Sequence, residues 1–296
     1  MKTRFLTQKS IIRKERRNWS RLSSVSLLNC RGEFLPGNFL LKRFTLSLNP
    51  AGKKTPFRIL FFTDTHIRNA ASRSFFPYVK WKGSSLILEN LRQAIRMTLP
   101  DALIFGGDLA GESALLPEGA ALFASLDVKQ KFAIYGNWDK KGNTALSYAR
   151  RKKMLEESSV KLLVNEGVFL RDDLYLYGMD DARMGYPLFS LPEETAKESI
   201  ARVIAVHSPD AVTGRIGSRL IRENDLFLCG HTHGGQIRMP LFGAFRTSTY
   251  SGKKLEMAWY EHVEKKAKMY VSCGIGTTFI HGRLFAPPEI VLLELV

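Results

Sequence analysis

Phe57-Arg58-Ile59-Leu60-Phe61-Phe62-Thr63-Asp64-Thr65-His66 sets a pattern that the rest of the chain repeats. The apolar run Phe57 to Phe62 has the length and content of a buried strand, and it is followed at once by a carboxylate and an imidazole two residues apart. Placed where a strand runs out into a loop, those two side chains can turn toward one ion. Similar stretches follow at Gly106-Gly107-Asp108, Gly136-Asn137-Trp138-Asp139, His207 and Gly230-His231-Thr232-His233-Gly234-Gly235. Each comes after an apolar run: Ala102 to Phe105, Phe132 to Tyr135, Val203 to Val206, and Leu226 to Cys229. Ligands of α/β sheets bind in the crevice at the carboxyl ends of strands. The repetition therefore predicts one shared site.

The order D-x-H, G-G-D, G-N-x-D, H, G-H-x-H resembles the calcineurin-like metallophosphoesterases, dimetal enzymes that hydrolyse phosphate esters and anhydrides. The resemblance covers residues 38–296 and implies an α/β fold, a four-layer sandwich of two mixed β-sheets flanked by helices. Carried over motif by motif, it implies one metal held by Asp64, His66, Asp108 and His233. A second would be held by Asp108, Asn137, His207 and His231, with Asp108 bridging. A bridging carboxylate holds two divalent ions about 3.5–4 Å apart, close enough to share a water, depress its pKa and direct the resulting hydroxide at phosphorus. Imidazole, carboxylate and amide donors without thiolate suit Mn²⁺ first, then Fe or Zn²⁺, over Ca²⁺.

Three further residues belong to the expected site. The usual family motif is G-N-H-[D/E], and Trp138 stands at the histidine position. Indole has no proton to give near neutral pH. Loss of a general acid typically costs about 10²–10⁴-fold for a poor leaving group, whereas a phosphate leaving group with a pKa near about 6 needs little protonation. Trp138 thus favours anhydrides or activated diesters, unless another group such as His281 supplies the proton. Asp139 is expected to fix the loop that carries Asn137. Arg238 is a candidate phosphate contact or a solvent-facing arginine at a strand start.

Gly230 to Arg238 and the tail Arg283-Leu284-Phe285-Ala286-Pro287-Pro288-Glu289-Ile290 are similar to a bacterial, membrane-linked branch of the family. That branch includes UDP-2,3-diacylglucosamine pyrophosphatases of lipid A synthesis. The resemblance implies cleavage of this lipid-bearing nucleotide sugar to UMP and 2,3-diacylglucosamine 1-phosphate, with Phe75, Phe76, Tyr78 and Trp81 lining an acyl entrance or forming an ordinary packed loop. The alternatives are a phosphodiesterase of the same fold acting on another phosphodiester, and a non-catalytic metal-binding scaffold.

Composition sets the context. The 296 residues are 45% hydrophobic, enough for a full core. Of the net charge of +16, the first 58 residues carry +12, from 14 Lys and Arg against Glu15 and Glu33. Residues 1–37 read as a basic leader, either a disordered tail or a polybasic segment on an anionic membrane face. Its apolar stretch near Val25 is broken by serines, so neither a secretory nor a twin-arginine signal is expected despite Arg16-Arg17. The expected location is cytoplasmic and peripheral on the inner membrane. No basic-aromatic pattern in the body suits specific nucleic-acid binding. Cys30, Cys229 and Cys273 have no metal or redox spacing and suit a reducing compartment. No apolar run approaches the roughly 18–20 residues of a membrane-spanning helix.

Along the chain, Phe39–Leu48 alternates as an edge strand, and the periodicity of Ile87, Leu91, Ala94, Ile95 and Thr98 predicts a helix over 84–98. Helices are expected from about Pro117, over 146–157, 193–200 and 209–222. The last quarter is predicted to be β-rich, with strands at Lys268–Cys273 and Glu289–Leu295.

Overall fold

The computed structural model describes residues 8–22, 30–48, 55–68, 84–140, 148–216, 218, 220–279 and 282–296. Two seven-stranded mixed sheets face each other. The first runs, in spatial order, Cys30–Leu35, Phe39–Leu46, Glu289–Leu295, Phe57–Phe62, Ala102–Phe105, Gln130–Ala133 and Lys161–Leu162. The second runs Trp19–Arg21, Ala258–His262, Lys268–Val271, Leu226–Cys229, Ala201–Ala205, Leu174–Gly178 and Glu166–Arg171.

Strand periodicity divides the apolar residues among three core layers. Ile59 and Phe61 point between the sheets, where they join Val203, Ala205, Leu226 and Leu228 from the opposite sheet. Leu60 and Phe62 point outward onto the helices Ser84–Thr98 and Leu116–Ala124, through Ile87, Leu91 and Phe123. On the far side, Ile204, Phe227 and Cys229 pack with Ala211 and Val212 of the helix Pro209–Gly214. Strands buried on both faces have no polar face to show, which is why their sequences read as unbroken apolar runs. The expected four-layer sandwich is the observed architecture.

Three expectations need correcting, one strand and two helices. Phe39–Leu46 is no edge strand, because Cys30–Leu35 pairs with it on one side and Glu289–Leu295 on the other. Part of the basic N-terminal segment, where described, packs against the body. Trp19–Arg21 pairs antiparallel with Tyr260–His262. Trp19 is 1% exposed, its indole edge-on to Phe227 and His262. Ile12, on the helix Gln8–Glu15, is equally buried and lies over Gly214. One tryptophan and one isoleucine bury enough apolar surface to anchor a segment whose charge count reads as solvated. The predicted helix at 209–222 stops at Gly214, and 193–200 contains only the 3₁₀ turn Glu193–Ala196. His281 and the expected acyl entrance, Phe75, Phe76, Tyr78 and Trp81, lie outside the described residues.

Candidate metal centre

In the first sheet Phe57–Phe62, Ala102–Phe105 and Gln130–Ala133 are parallel neighbours, and in the second Leu174–Gly178, Ala201–Ala205 and Leu226–Cys229 are. The loops that follow them meet between the sheets. There Asp64 (φ 55°), His66 (φ 40°), Asp108 (φ 61°), His231 (φ 67°) and His233 (φ 53°) all adopt left-handed backbone. For a non-glycine residue this costs about 1–2 kcal/mol. It turns the chain sharply off each strand, so that the side chains converge instead of trailing along the loops. Gly136 and Gly230 permit the closest approaches, since a Cβ on either would collide with the carboxylates of Asp108 and Asp64 respectively.

Two buried groups result. Asp64, His66 and His233 form one, and Asp108, His207 and His231 the other, with candidate ligand atoms within 4.8 Å of one another in each. The carboxylates are oriented by their second oxygens. Asp64 Oδ2 accepts from Thr63 Oγ1 at 2.8 Å and from the His231 amide at 3.0 Å, leaving Oδ1 3.3 Å from His233 Nε2 and 3.8 Å from His66 Nε2. Asp108 Oδ1 accepts from the Trp138 amide at 2.8 Å. Its Oδ2 lies 3.4 Å from His66 Nε2 and 3.2 Å from His207 Nε2. Asp108 therefore reaches both groups.

The imidazoles are oriented in the same way. His207 Nδ1 donates to Gly106 O at 2.8 Å, which leaves Nε2 toward Asp108. His233 Nδ1 lies 3.3 Å from Gly276 O, with Nε2 toward Asp64.

Charge follows from burial and proximity. Burial alone would raise both carboxylates, but imidazoles, His233 first for Asp64 and His207 for Asp108, hold them below the ordinary range. Burial opposes the charge on His66 and His207, yet the facing carboxylates outweigh it and raise both. His231 and His233 go the other way. Burial, with His207 acting on His231, takes them down to about 4 and about 3.

The residues fit a pair of divalent cations. His66 is buried with neither ring nitrogen hydrogen-bonded, and Asn137 Oδ1 is buried without a partner. Unsatisfied buried acceptors of this kind are costly unless something positive occupies the space they face. The donors are nitrogen and oxygen throughout, a set that divalent transition-metal ions accept. Cys229 and Cys273 are free and buried, and burial pushes both thiols up, Cys273 to about 12.

A sequence model of the family described as calcineurin-like phosphoesterase matches residues 57–235, which include every one of these donors. The chain belongs to the calcineurin-like phosphoesterases. It is 27% identical over 270 residues to phosphodiesterase YaeI of Escherichia coli (strain K12), covering 88% of this chain and 90% of that one. The uncharacterized metallophosphoesterase YkuE of Bacillus subtilis (strain 168) is 27% identical over 253 residues, 81% of this chain and 79% of its own length. An uncharacterized metallophosphoesterase of Aquifex aeolicus (strain VF5) is 26% identical over 265 residues, with 86% and 91% covered.

Around the metal centre of this phosphoesterase the remaining site residues separate. Asp139 is a member of neither ligand group. Its carboxylate accepts from the amides of Asp108 (2.7 Å), Leu109 (2.9 Å) and Gly136 (2.8 Å), binding two donor loops to each other. Trp138 stands edge-on to His66, ring centroids 5.7 Å apart, and 6.1 Å from Phe279. Arg238 is not placed as a phosphate contact. Its guanidinium pairs with Glu256 at 2.7 Å and donates to Gly234 O at 2.8 Å, bracing a hairpin. A strand-start arginine five residues past His233 looked available in sequence, but the buried Glu256 claims it.

Three residues at the site were not foreseen. Arg183 Nη1 lies 3.3 Å from His231 Nε2 at the mouth of an open cleft of about 700 Å³, which His233, Phe245, Arg246, Tyr250 and Phe279 also line. Arg283 reaches His233 Nδ1 at 3.3 Å and donates to the carbonyls of Cys273 and Gly276. Asp181 is buried with one carboxylate oxygen unpaired, and burial raises it against the pull of His207. Its signal was present: Gly178-Met179-Asp180-Asp181 is another acid at a strand end.

Proposed function

We propose that this metallophosphoesterase is a phosphodiesterase for activated diesters or anhydrides. The carrying observation is Asp108 Oδ2, which lies within 3.4 Å of His66 Nε2 and 3.2 Å of His207 Nε2 and so can join two ion sites. When bound, two divalent ions supply Lewis acidity to the phosphoryl group and lower the pKa of water at the site. Asp64, His66, Asp108 and His233 would hold one, and Asp108, Asn137, His207 and His231 the other. Arg183 and Arg246 at the cleft would bind the anionic part of the substrate and orient it. Trp138 excludes water from the His66 side without offering a proton, which suits a leaving group that needs none. Completeness of the donor set speaks against a non-catalytic scaffold.

A second, narrower reading is UDP-2,3-diacylglucosamine as substrate at the cytoplasmic face of an inner membrane. Phe245 and Phe279, both well exposed in the cleft beside the cations, support it, because a lipid-bearing nucleotide sugar offers both apolar chains and phosphates. The test is Mn²⁺-dependent hydrolysis of bis(p-nitrophenyl) phosphate and of UDP-2,3-diacylglucosamine in detergent micelles, each beside Asp108→Ala. Diester turnover abolished in the variant supports the phosphodiesterase, and UMP release abolished with it supports the lipid substrate. Wild-type protein loaded with metal yet inert on both would overturn both readings.

A further inference from the structure

Beyond the metal cleft the chain raises a short antiparallel hairpin, Arg238–Met239 paired with Gly243–Ala244, whose tip is almost wholly apolar. Leu241 is fully exposed, Phe242 is 76% exposed and Met239 55%. Leu241 also holds a φ of 68°, a conformation a bulky side chain adopts only under constraint. The constraint is visible at the base. Arg238 is tied to Glu256 and Gly234, its amide donates to Leu284 O at 3.0 Å, and the Phe245 amide donates to Ile237 O at 3.0 Å. A rigid stem thus presents apolar side chains to solvent at a cost in both strain and hydration. Phe285, 61% exposed, adjoins them across a hollow of about 600 Å³.

The flank of that hollow is cationic. Arg21 and Lys253 line it, and its carboxylate, Glu256, is committed to Arg238. Lys254 is exposed next to Lys253. Large apolar side chains ringed by lysine and arginine match the boundary of an anionic bilayer, where the apolar tip enters the acyl region and the cations meet headgroups. A second copy of the chain fits less well, since it would bring the same cations, and a net +16, against this face. Among the described residues no helix is long and apolar enough to cross a membrane, so contact by this face would be interfacial.

We propose that the 239–242 hairpin, with Arg21 and Lys253, docks the protein on anionic lipid surfaces. The hairpin begins five residues after His233, and Phe245 at its end lines the metal cleft. Docking by this face therefore opens the cleft beside the bilayer plane, whichever phosphoester is cleaved there.

The experiment is co-sedimentation of the full chain with vesicles of phosphatidylcholine alone and of phosphatidylcholine with phosphatidylglycerol, at low and high salt. Wild type is expected to pellet with the anionic vesicles and to be released by salt. The double variant Leu241→Ser/Phe242→Ser should partition at least about tenfold less, as loss of two inserted apolar side chains implies. It should keep its melting temperature and its turnover of a soluble diester, because both side chains are largely exposed at the tip. Lys253→Ala should weaken binding to the anionic vesicles only. Wild type remaining in the supernatant overturns the proposal. So does a double variant that pellets as wild type does, which would leave the basic N-terminal segment as the anchor. A concentration-dependent dimer lost in the double variant, without vesicle binding, would instead make this face a self-association surface.

Discussion

Asp139 accepts the backbone N–H of Asp108 at 2.7 Å, although the two carboxylates belong to different loops and both are buried. One acid is held in place by a second that never reaches an ion site. Replacing Asp139 by alanine strands three buried amides, those of Asp108, Leu109 and Gly136, at about 1–3 kcal/mol each. The Asp139→Ala protein should melt at a lower temperature. The milder Asp139→Asn should remain folded and bind metal about 10–100-fold more weakly. Metal titration followed by calorimetry checks both, and unchanged affinity in Asp139→Asn would refute the clamp.

Metal loading should release protons. In the metal-free protein Asp108 and Asp64 raise His66 and His207 above the ordinary imidazole value against the effect of burial, and so favour their protonated forms. The stabilisation they provide is present below the unfolded value of about 6.5 and fades as pH rises through their raised folded values. An ion must displace those protons. Roughly one to two per chain should appear near pH 7, measurable as a dependence of binding heat on buffer ionisation enthalpy. Chelation at the same pH should take them up again.

Lys42 and Glu289 predict acid sensitivity away from the metals. Their side chains meet at 2.5 Å, and Tyr270 Oη and the Cys273 amide also donate to Glu289. Burial would raise Glu289, but Lys42, with hydrogen bonds from Ser272 and the Cys273 amide, carries it below its ordinary value. Its stabilisation is therefore present above the unfolded value of about 4.5 and is lost as pH falls through the lower folded one. Lys42 is raised, so its share persists until pH exceeds the ordinary lysine range. Lys42→Met leaves a buried carboxylate unpaired and should cost about 3–5 kcal/mol at neutral pH. In denaturant titrations, that loss should shrink below pH 4.

Trp138→His should restore a proton donor beside His66. Turnover of alkyl phosphodiesters is expected to rise about 10–100-fold, with little change for p-nitrophenyl diesters, whose leaving group needs no acid. Parallel kcat/KM measurements on the two substrates decide it. An equal effect on both would assign Trp138 to packing against Phe279.

Sequence pointed to the six carboxylate and imidazole donors that the fold gathers because each follows an unbroken apolar run, a pattern that survives without knowledge of pairing. It likewise revealed the helix at 84–98, whose apolar spacing matches the observed Ser84–Thr98. What it concealed depends on partners distant in the chain. Trp19 reads as part of a charged tail until Phe227 and His262 lie against it. Arg238 reads as a free cation until Glu256 is beside it, while Arg183 has no local signal and reaches His231 only through the fold. Asp181 is legible as an acid at a strand end, though it lacks the glycine-histidine context of the others.

The strand Glu289–Leu295 occupies the middle of the first sheet, between residues that precede it by more than two hundred positions. During synthesis, Phe39–Leu46 and Phe57–Phe62 emerge with facing edges unpaired, and the gap between them is filled only once Glu289–Leu295 has been made. Each ligand group in turn takes donors from both sheets, so neither can close on a nascent chain that stops short of His231. Such long-range pairing makes for slow folding and prolonged exposure of sticky edges. The first sheet and the metal centre are consequently completed together, by segments more than two hundred and more than one hundred positions apart in the chain.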